Sequence, residues 1–206
     1  MRKQVNATRM ELLRLRRRSV LARKGHKLLK DKLDGLIQQL FEIAKQQSHL
    51  SGALEEQLVT LFQQLALSSA QIRPETIAEA IPLSSGKATL STVLQNRMGV
   101  KLPKYELKLE GNPFSYNLID TPGEFDQALL QFQALLVDLV KLAELNKAIE
   151  IMASAIIEIK RRVNALEYIL IPELEEQVRY IRMKLTEMER STIVTLLKIK
   201  DSVRAH

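Results

Sequence analysis

The sequence contains no cysteine and no tryptophan, and only 4% of its 206 residues are aromatic. Without thiols, disulfides and thiolate metal sites are excluded, and a reducing compartment fits the chain. Glycine (7) and proline (6) are scarce as well, which argues against a loop-rich globule. The longest stretch without a charge, Gln57 to Ile72, is interrupted by Gln57, Gln63, Gln64, Ser68, Ser69 and Gln71. No segment is therefore expected to span a bilayer. The N-terminus is basic but lacks an apolar run ahead of Glu11 and Arg14, so no signal peptide is expected. The expectation is a cytoplasmic protein, at most peripheral to a membrane through other proteins.

What the chain does have is 46% hydrophobic and 27% charged residues, the profile of long helices rich in Leu, Ile, Ala, Lys, Arg and Glu. Apolar side chains recur by threes and fours at Ile149, Met152, Ile156, Ile159, Val163, Leu166 and Leu170. They resume at Val178, Ile181, Leu185 and Met188, then at Leu196, Ile199 and Val203. That spacing lays a single stripe along a helix, the seam of a coiled coil. A second seam runs through Leu29, Leu33, Leu36, Leu40, Ile43, Leu50, Leu54, Leu58, Leu61 and Leu65, with Gln47 as a polar member. Each seam needs a partner, and the two supply one another.

Local signals mark the limits. Thr8-Arg9-Met10-Glu11 has the capping-box pattern, in which threonine oxygen and glutamate carboxylate each accept a backbone N–H of the other residue. Five of the six prolines lie between Pro74 and Pro122, and four of the seven glycines between Gly86 and Gly123. Within that insert, Lys87 to Leu94 and Val100 to Leu109 favour strands, with a turn near Asn96 to Gly99. Thr121-Pro122-Gly123-Glu124 opens the second helix, which is expected to run from about Phe125 to about Val203. Pro172 removes a backbone donor inside that helix, and the seam there steps by fours from Leu166 to Val178. Both features place a bend at one spot. Gly25, Gly35 and Gly52 are read as close approaches of the partner or as mild flexibility; simple tolerance stays open at each.

The expected fold class is therefore all-α, a long antiparallel two-helix coiled coil with a small insert that carries a short β-hairpin. The expected parts are residues 1–72, 73–124 and 125–206. From the helix limits, facing residues should have numbers that total about 211. Leu135, Leu136, Leu139 and Val140 are expected to leave marginal apolar surface that a partner covers.

The net charge of +7 is uneven. Residues 1–32 hold 12 Lys or Arg against Glu11 and Asp31. A basic end of this kind suits a nucleic acid, an anionic lipid surface or an acidic protein partner. Arg14, Arg16, Arg17, Arg18 and Arg23, with Lys198, Lys200 and Arg204, are expected to converge at one end of the hairpin. Glu175, Glu176, Glu187 and Glu189 are expected to neutralise part of the charge.

No catalytic constellation emerges. His26, His49 and His206 are far apart and read as solvated side chains, without the pairing of a helical metal site. Gly86-Lys87 is not a phosphate loop, because Ile81 stands where the first glycine belongs and Ala88 where Ser or Thr belongs. No metal and no cofactor are expected.

Three ordered strings carry a resemblance. Asn6-Ala7-Thr8-Arg9-Met10-Glu11-Leu12, then Gly25-His26-Lys27-Leu28-Leu29-Lys30-Asp31-Lys32, then Arg161-Arg162-Val163-Asn164-Ala165-Leu166-Glu167-Tyr168 followed by Ile171-Pro172 resemble the D subunit of V/A-type rotary ATPases and ATP synthases. The similarity covers both long helices and is weaker in the middle. It implies a non-catalytic central rotor shaft whose paired terminal helices enter a hexamer of A and B subunits. It also implies that the small F subunit clamps the shaft partway and that the insert end sits on the funnel-like subunit above the membrane ring. Rotation would then couple ATP chemistry to H⁺ or Na⁺ movement. The alternative reading is a basic helical hairpin that binds nucleic acid. The absence of aromatics from the basic region and the acidic residues expected opposite it count against that reading.

Overall fold

The computed structural model describes residues 6–70, 86–111 and 123–204. Helix α1 spans Arg9–Ser69. Strands β1 (Lys87–Arg97) and β2 (Val100–Glu110) follow, then α2 (Gly123–Ala165), a π-helical turn (Leu166–Leu170) and α3 (Ile171–Arg204). This is the expected helical hairpin with a small two-stranded insert. The pattern at Thr121-Pro122, the Ile81 position, Pro74 and His206 lie outside the described residues.

α1 starts where the capping signal put it, but only half of the capping box forms. The Glu11 N–H donates to Thr8 Oγ1 at 3.2 Å. The Thr8 N–H, however, donates to the Asn6 carbonyl at 2.9 Å. The Glu11 carboxylate turns to Arg14 at 3.7 Å.

The chain divides into two compact units. The first combines α1 up to Asp34 with the residues from Ile157 onward. Leu15 and Ala22 pack there with Leu174 and Ile181, and Leu12, Leu170, Val178 and Leu185 flank them. Arg9 Nη2 lies 2.8 Å from Glu189 Oε1, and Arg23 Nη2 lies 2.5 Å from Glu175 Oε1. The helices are thus antiparallel, and partner numbers, 9 with 189 and 23 with 175, total 198 rather than 211. The helix limits misled because the two helices do not end level. α3 continues past Glu189 to Arg204, while α1 begins only at Arg9. The seam accordingly stops early: Leu185 is half-buried, whereas Met188, Leu196, Ile199 and Val203 are exposed.

Where a bend is expected near Pro172, the helix has a widened turn. The Ile171 N–H bonds the Leu166 carbonyl, five residues back instead of four. Proline has no N–H, and its ring crowds the carbonyl four residues earlier, so the ladder is disturbed just ahead of it. The turn leaves Tyr168 and Ile169 exposed.

The second unit spans Gly35–Ile156. Leu54 and Leu61 pack with Leu135, and Leu50, Leu58, Leu65, Leu139 and Leu142 surround them. Leu135 is therefore core, contrary to expectation, and Leu136, Leu139 and Val140 are half-buried. On α2, exposed apolar side chains nearby include Leu130, Phe132 and Val137. All ten leucines and isoleucines of the first seam are buried or half-buried across the two units.

In the hairpin, Arg97 pairs with Val100 and Lys87 with Glu110. The turn is therefore the dipeptide Met98-Gly99, with φ of 50° and 81°. Positive φ at both turn residues matches the twist of the strands. β1 is exposed along its whole length, while β2 buries Val100 and Leu102. Pairing puts the N–H groups of alternate β2 residues on its free edge. Pro103 has none to satisfy, and the Tyr105 N–H donates to Glu144 Oε2 of α2 at 2.8 Å. The turn also touches α1: a Cβ at Gly35 would lie 2.8 Å from Met98 Cε. Gly35 is thus a close approach, but of the hairpin, not of the partner helix. Gly25 and Gly52 have nothing within 4 Å of that position and are simply tolerated.

Candidate docking surface at the basic end

The eight cations singled out from the sequence all lie in the first unit, but they form two groups. Arg14, Arg16, Arg17, Arg18 and Arg23 occupy two and a half turns of α1. All are exposed, so their charges stay in water. Arg14 makes a long contact to Glu11, and Arg23 is held by Glu175. Both pairs are largely solvent-exposed, so each stabilises by less than about 1 kcal/mol.

Lys198, Lys200 and Arg204 belong to the end of α3 beyond Glu189, where α1 no longer runs alongside. At 1.5 Å per residue, Lys198 lies roughly 20 Å farther along the axis than Arg14. The structure therefore does not bring the eight together. It spreads them along one end, with the exposed apolar side chains Ile193, Leu196, Leu197 and Val203 among the C-terminal group.

Acids expected opposite the basic stretch pair across to α1. Glu189 takes Arg9 and Glu175 takes Arg23, while Glu187 accepts from Lys184 on its own helix at 3.1 Å. That hydrogen bond, followed by the field of the same carboxylate, raises the Lys184 ammonium above the usual lysine value. His26 is not a solvated bystander: its Nε2 lies 3.3 Å from Glu167 Oε2, and its side chain is only 20% exposed. His49 is exposed as expected.

A groove of about 500 Å³ opens between α1 and α3. It is lined by Arg16, Ser19, Val20 and Arg23 from one helix and by Glu175, Val178, Arg179 and Arg182 from the other. The sequence reading missed Arg179 and Arg182. A facing total of 211 set them against the wrong part of α1, whereas 198 sets them level with Ser19 and Arg16. No group of His, Asp or Glu among the described residues is arranged to hold a metal ion. No described helix is long and apolar enough to cross a membrane.

A family pattern, that of the ATP synthase D subunit, matches residues 11–201. The chain belongs to that family. It is 41% identical over 201 residues to the D subunit of the V-type ATP synthase of Thermoanaerobacter sp. (strain X514), covering 97% of this chain and 96% of that protein. It is likewise 41% identical over 203 residues to the protein of that name from Fusobacterium nucleatum subsp. nucleatum, with 97% and 96% covered. The relative of the same name in Clostridium botulinum (strain Langeland) is 40% identical over 205 residues, with 97% and 95% covered. These likenesses run through the basic end, both long helices and the insert. The alternative of a nucleic-acid-binding hairpin finds no support in them.

Proposed function

We propose that the protein is the central shaft of a V/A-type rotary ATPase or ATP synthase and has no catalytic residue of its own. The observation that supports this best is the match to the family of ATP synthase D subunits over residues 11–201 of a chain built as an antiparallel coiled coil. Two helices of one chain, locked by a seam, resist unwinding and can pass torque. In this reading the shaft couples nucleotide chemistry in a hexamer of A and B subunits to H⁺ or Na⁺ movement through a membrane ring. The shaft is cytoplasmic and peripheral to the membrane. The F subunit grips it partway, and the insert end rests on the funnel-like subunit of the ring.

The basic end meets the A and B subunits through Arg14, Arg16, Arg17, Arg18, Arg23, Lys198, Lys200 and Arg204. Exposed charges suit a surface that must slide, because contacts between them are weak, screened by salt and quickly exchanged. The test is reconstitution of the A and B hexamer with a chain carrying Arg14→Glu, Arg16→Glu, Arg17→Glu and Arg18→Glu. Helicity and binding of the F subunit should be normal, since these side chains lie outside the seam. Docking, or the ATPase activity that depends on it, should fall. Full docking and activity at low salt, where such contacts are strongest, would reject this surface.

A further inference from the structure

The groove between α1 and α3 combines two features that stability alone does not favour. Its residues form a regular ladder, Arg16, Ser19, Val20 and Arg23 on α1, and Glu175, Val178, Arg179 and Arg182 on α3. With partner numbers totalling 198, as Arg23 with Glu175 and Arg9 with Glu189 require, the rungs become explicit. Arg23 meets Glu175, Val20 is level with Val178, Ser19 with Arg179, and Arg16 with Arg182. One rung is attractive and one is apolar. The last sets Arg16 level with Arg182, and like charges on facing residues repel. Among the described residues, Arg16, Arg179 and Arg182 have no ion-pair partner. Four arginines against one carboxylate leave the groove strongly positive over an apolar floor of valines and arginine stems.

We infer that this groove is a docking site for an acidic segment of the protein that surrounds the basic end, with carboxylates straddling a small apolar side chain. Charge complementarity selects the occupant. Each guanidinium presents a fork that a carboxylate can meet with two hydrogen bonds, and Val20 with Val178 accepts an apolar group between them. A nucleic acid is the poorer fit, because no aromatic side chain lines the groove to stack a base. Glu175 acts as the internal stand-in: its carboxylate already accepts a hydrogen bond from one arginine of the groove, Arg23. The inference deepens the shaft reading, from which it takes only the identity of the surrounding protein, and it adds Arg179 and Arg182 to the contact surface.

The test uses the full chain and a fluorescein-labelled pentapeptide with a central leucine between two pairs of glutamates. Binding is read by anisotropy at low and at physiological salt. The expected result is saturable binding that weakens as salt rises. Arg179→Glu with Arg182→Glu should weaken it about tenfold, the sum of a few exposed charge contacts, at unchanged helicity. Glu175→Gln should tighten it, because Arg23 is released. Lys27→Glu with Lys30→Glu changes the net charge equally on positions outside the groove and should leave binding nearly unchanged. Equal weakening by both double variants would show a net-charge effect and overturn the inference. So would displacement of the peptide by tripolyphosphate at far lower concentration than by free glutamate peptides, which would mark a phosphate site. Failure here leaves docking of the wild-type chain to the A and B hexamer intact. Failure of that docking with peptide binding preserved would instead reject the shaft reading and keep the groove.

Discussion

Gly25, Gly35 and Gly52 occupy the same helix with different surroundings, and they separate two effects of a missing side chain. At Gly25 and Gly52 a Cβ would meet open space, so Gly→Ala gains helix propensity without a clash. Each substitution should stabilise the protein by roughly 0.5–1 kcal/mol, measured as a shift in the urea midpoint. At Gly35 the same gain is offset by Met98, whose Cε lies 2.8 Å from the new atom. The methionine end is flexible and can move, so Gly35→Ala should come out near neutral; stabilisation equal to that of the other two would refute the packing role. Met98 itself holds a positive φ of 50°, which costs a non-glycine side chain about 1 kcal/mol. Its thioether against Gly35 helps to hold that conformation. Met98→Asn should therefore ease the turn while loosening the hairpin from α1.

At the scale of elements, the hairpin is fixed by its β2 edge. The Glu144 carboxylate accepts from the Tyr105 N–H, and Pro103 leaves no donor beside it unpaired. Glu144→Ala should speed hydrogen exchange at the Tyr105 amide and cost about 1 kcal/mol. Unchanged protection would mean that the apolar contacts of Val100 and Leu102 suffice. The end of α3 gives the opposite expectation. From Arg190 to Arg204 every side chain whose burial is described is exposed, so these residues contribute little to the fold. Truncation after Glu189 should leave the melting temperature within a few degrees of the full chain. If the end of α3 lies inside the hexamer, as proposed above, the same truncation should impair docking. A large loss of stability would show that this segment has a partner within the chain.

For the whole molecule, the facing register is the testable quantity. Ala22 and Leu174 share one buried cluster, so Ala22→Cys with Leu174→Cys should form a disulfide within a single chain under mild oxidation. In the other unit, Leu61→Cys with Leu135→Cys should do the same. Dimers alone at low protein concentration would contradict the antiparallel pairing. Exposed Leu130, Phe132 and Val137 of α2 are among the apolar side chains that a clamping partner can cover. Co-expression with the F subunit should therefore raise the melting temperature, and an unchanged value without complex formation would remove that partner from the proposal.

The sequence by itself determined the two long helices, the first seam and the second as far as Leu185, the capping threonine, the hairpin and the place where Pro172 disturbs the ladder. These follow from local rules: a period near 3.5 in apolar residues, a missing N–H, two strand-forming runs around a turn. The family was legible too, in strings such as Arg161 to Tyr168. The register was decided only by tertiary structure. A seam of similar leucines can slide by a turn or more at little cost, and helix lengths say nothing about where one helix ends beside the other. Specific pairs, Arg9 with Glu189 and Arg23 with Glu175, and the buried cluster of Leu15, Ala22, Leu174 and Ile181 remove that freedom. Once they do, Arg16, Arg179 and Arg182 line one groove, and Lys198, Lys200 and Arg204 lie beyond it, past the level at which α1 begins. Side chains far apart in sequence acquire a common surface only when that one translation is fixed.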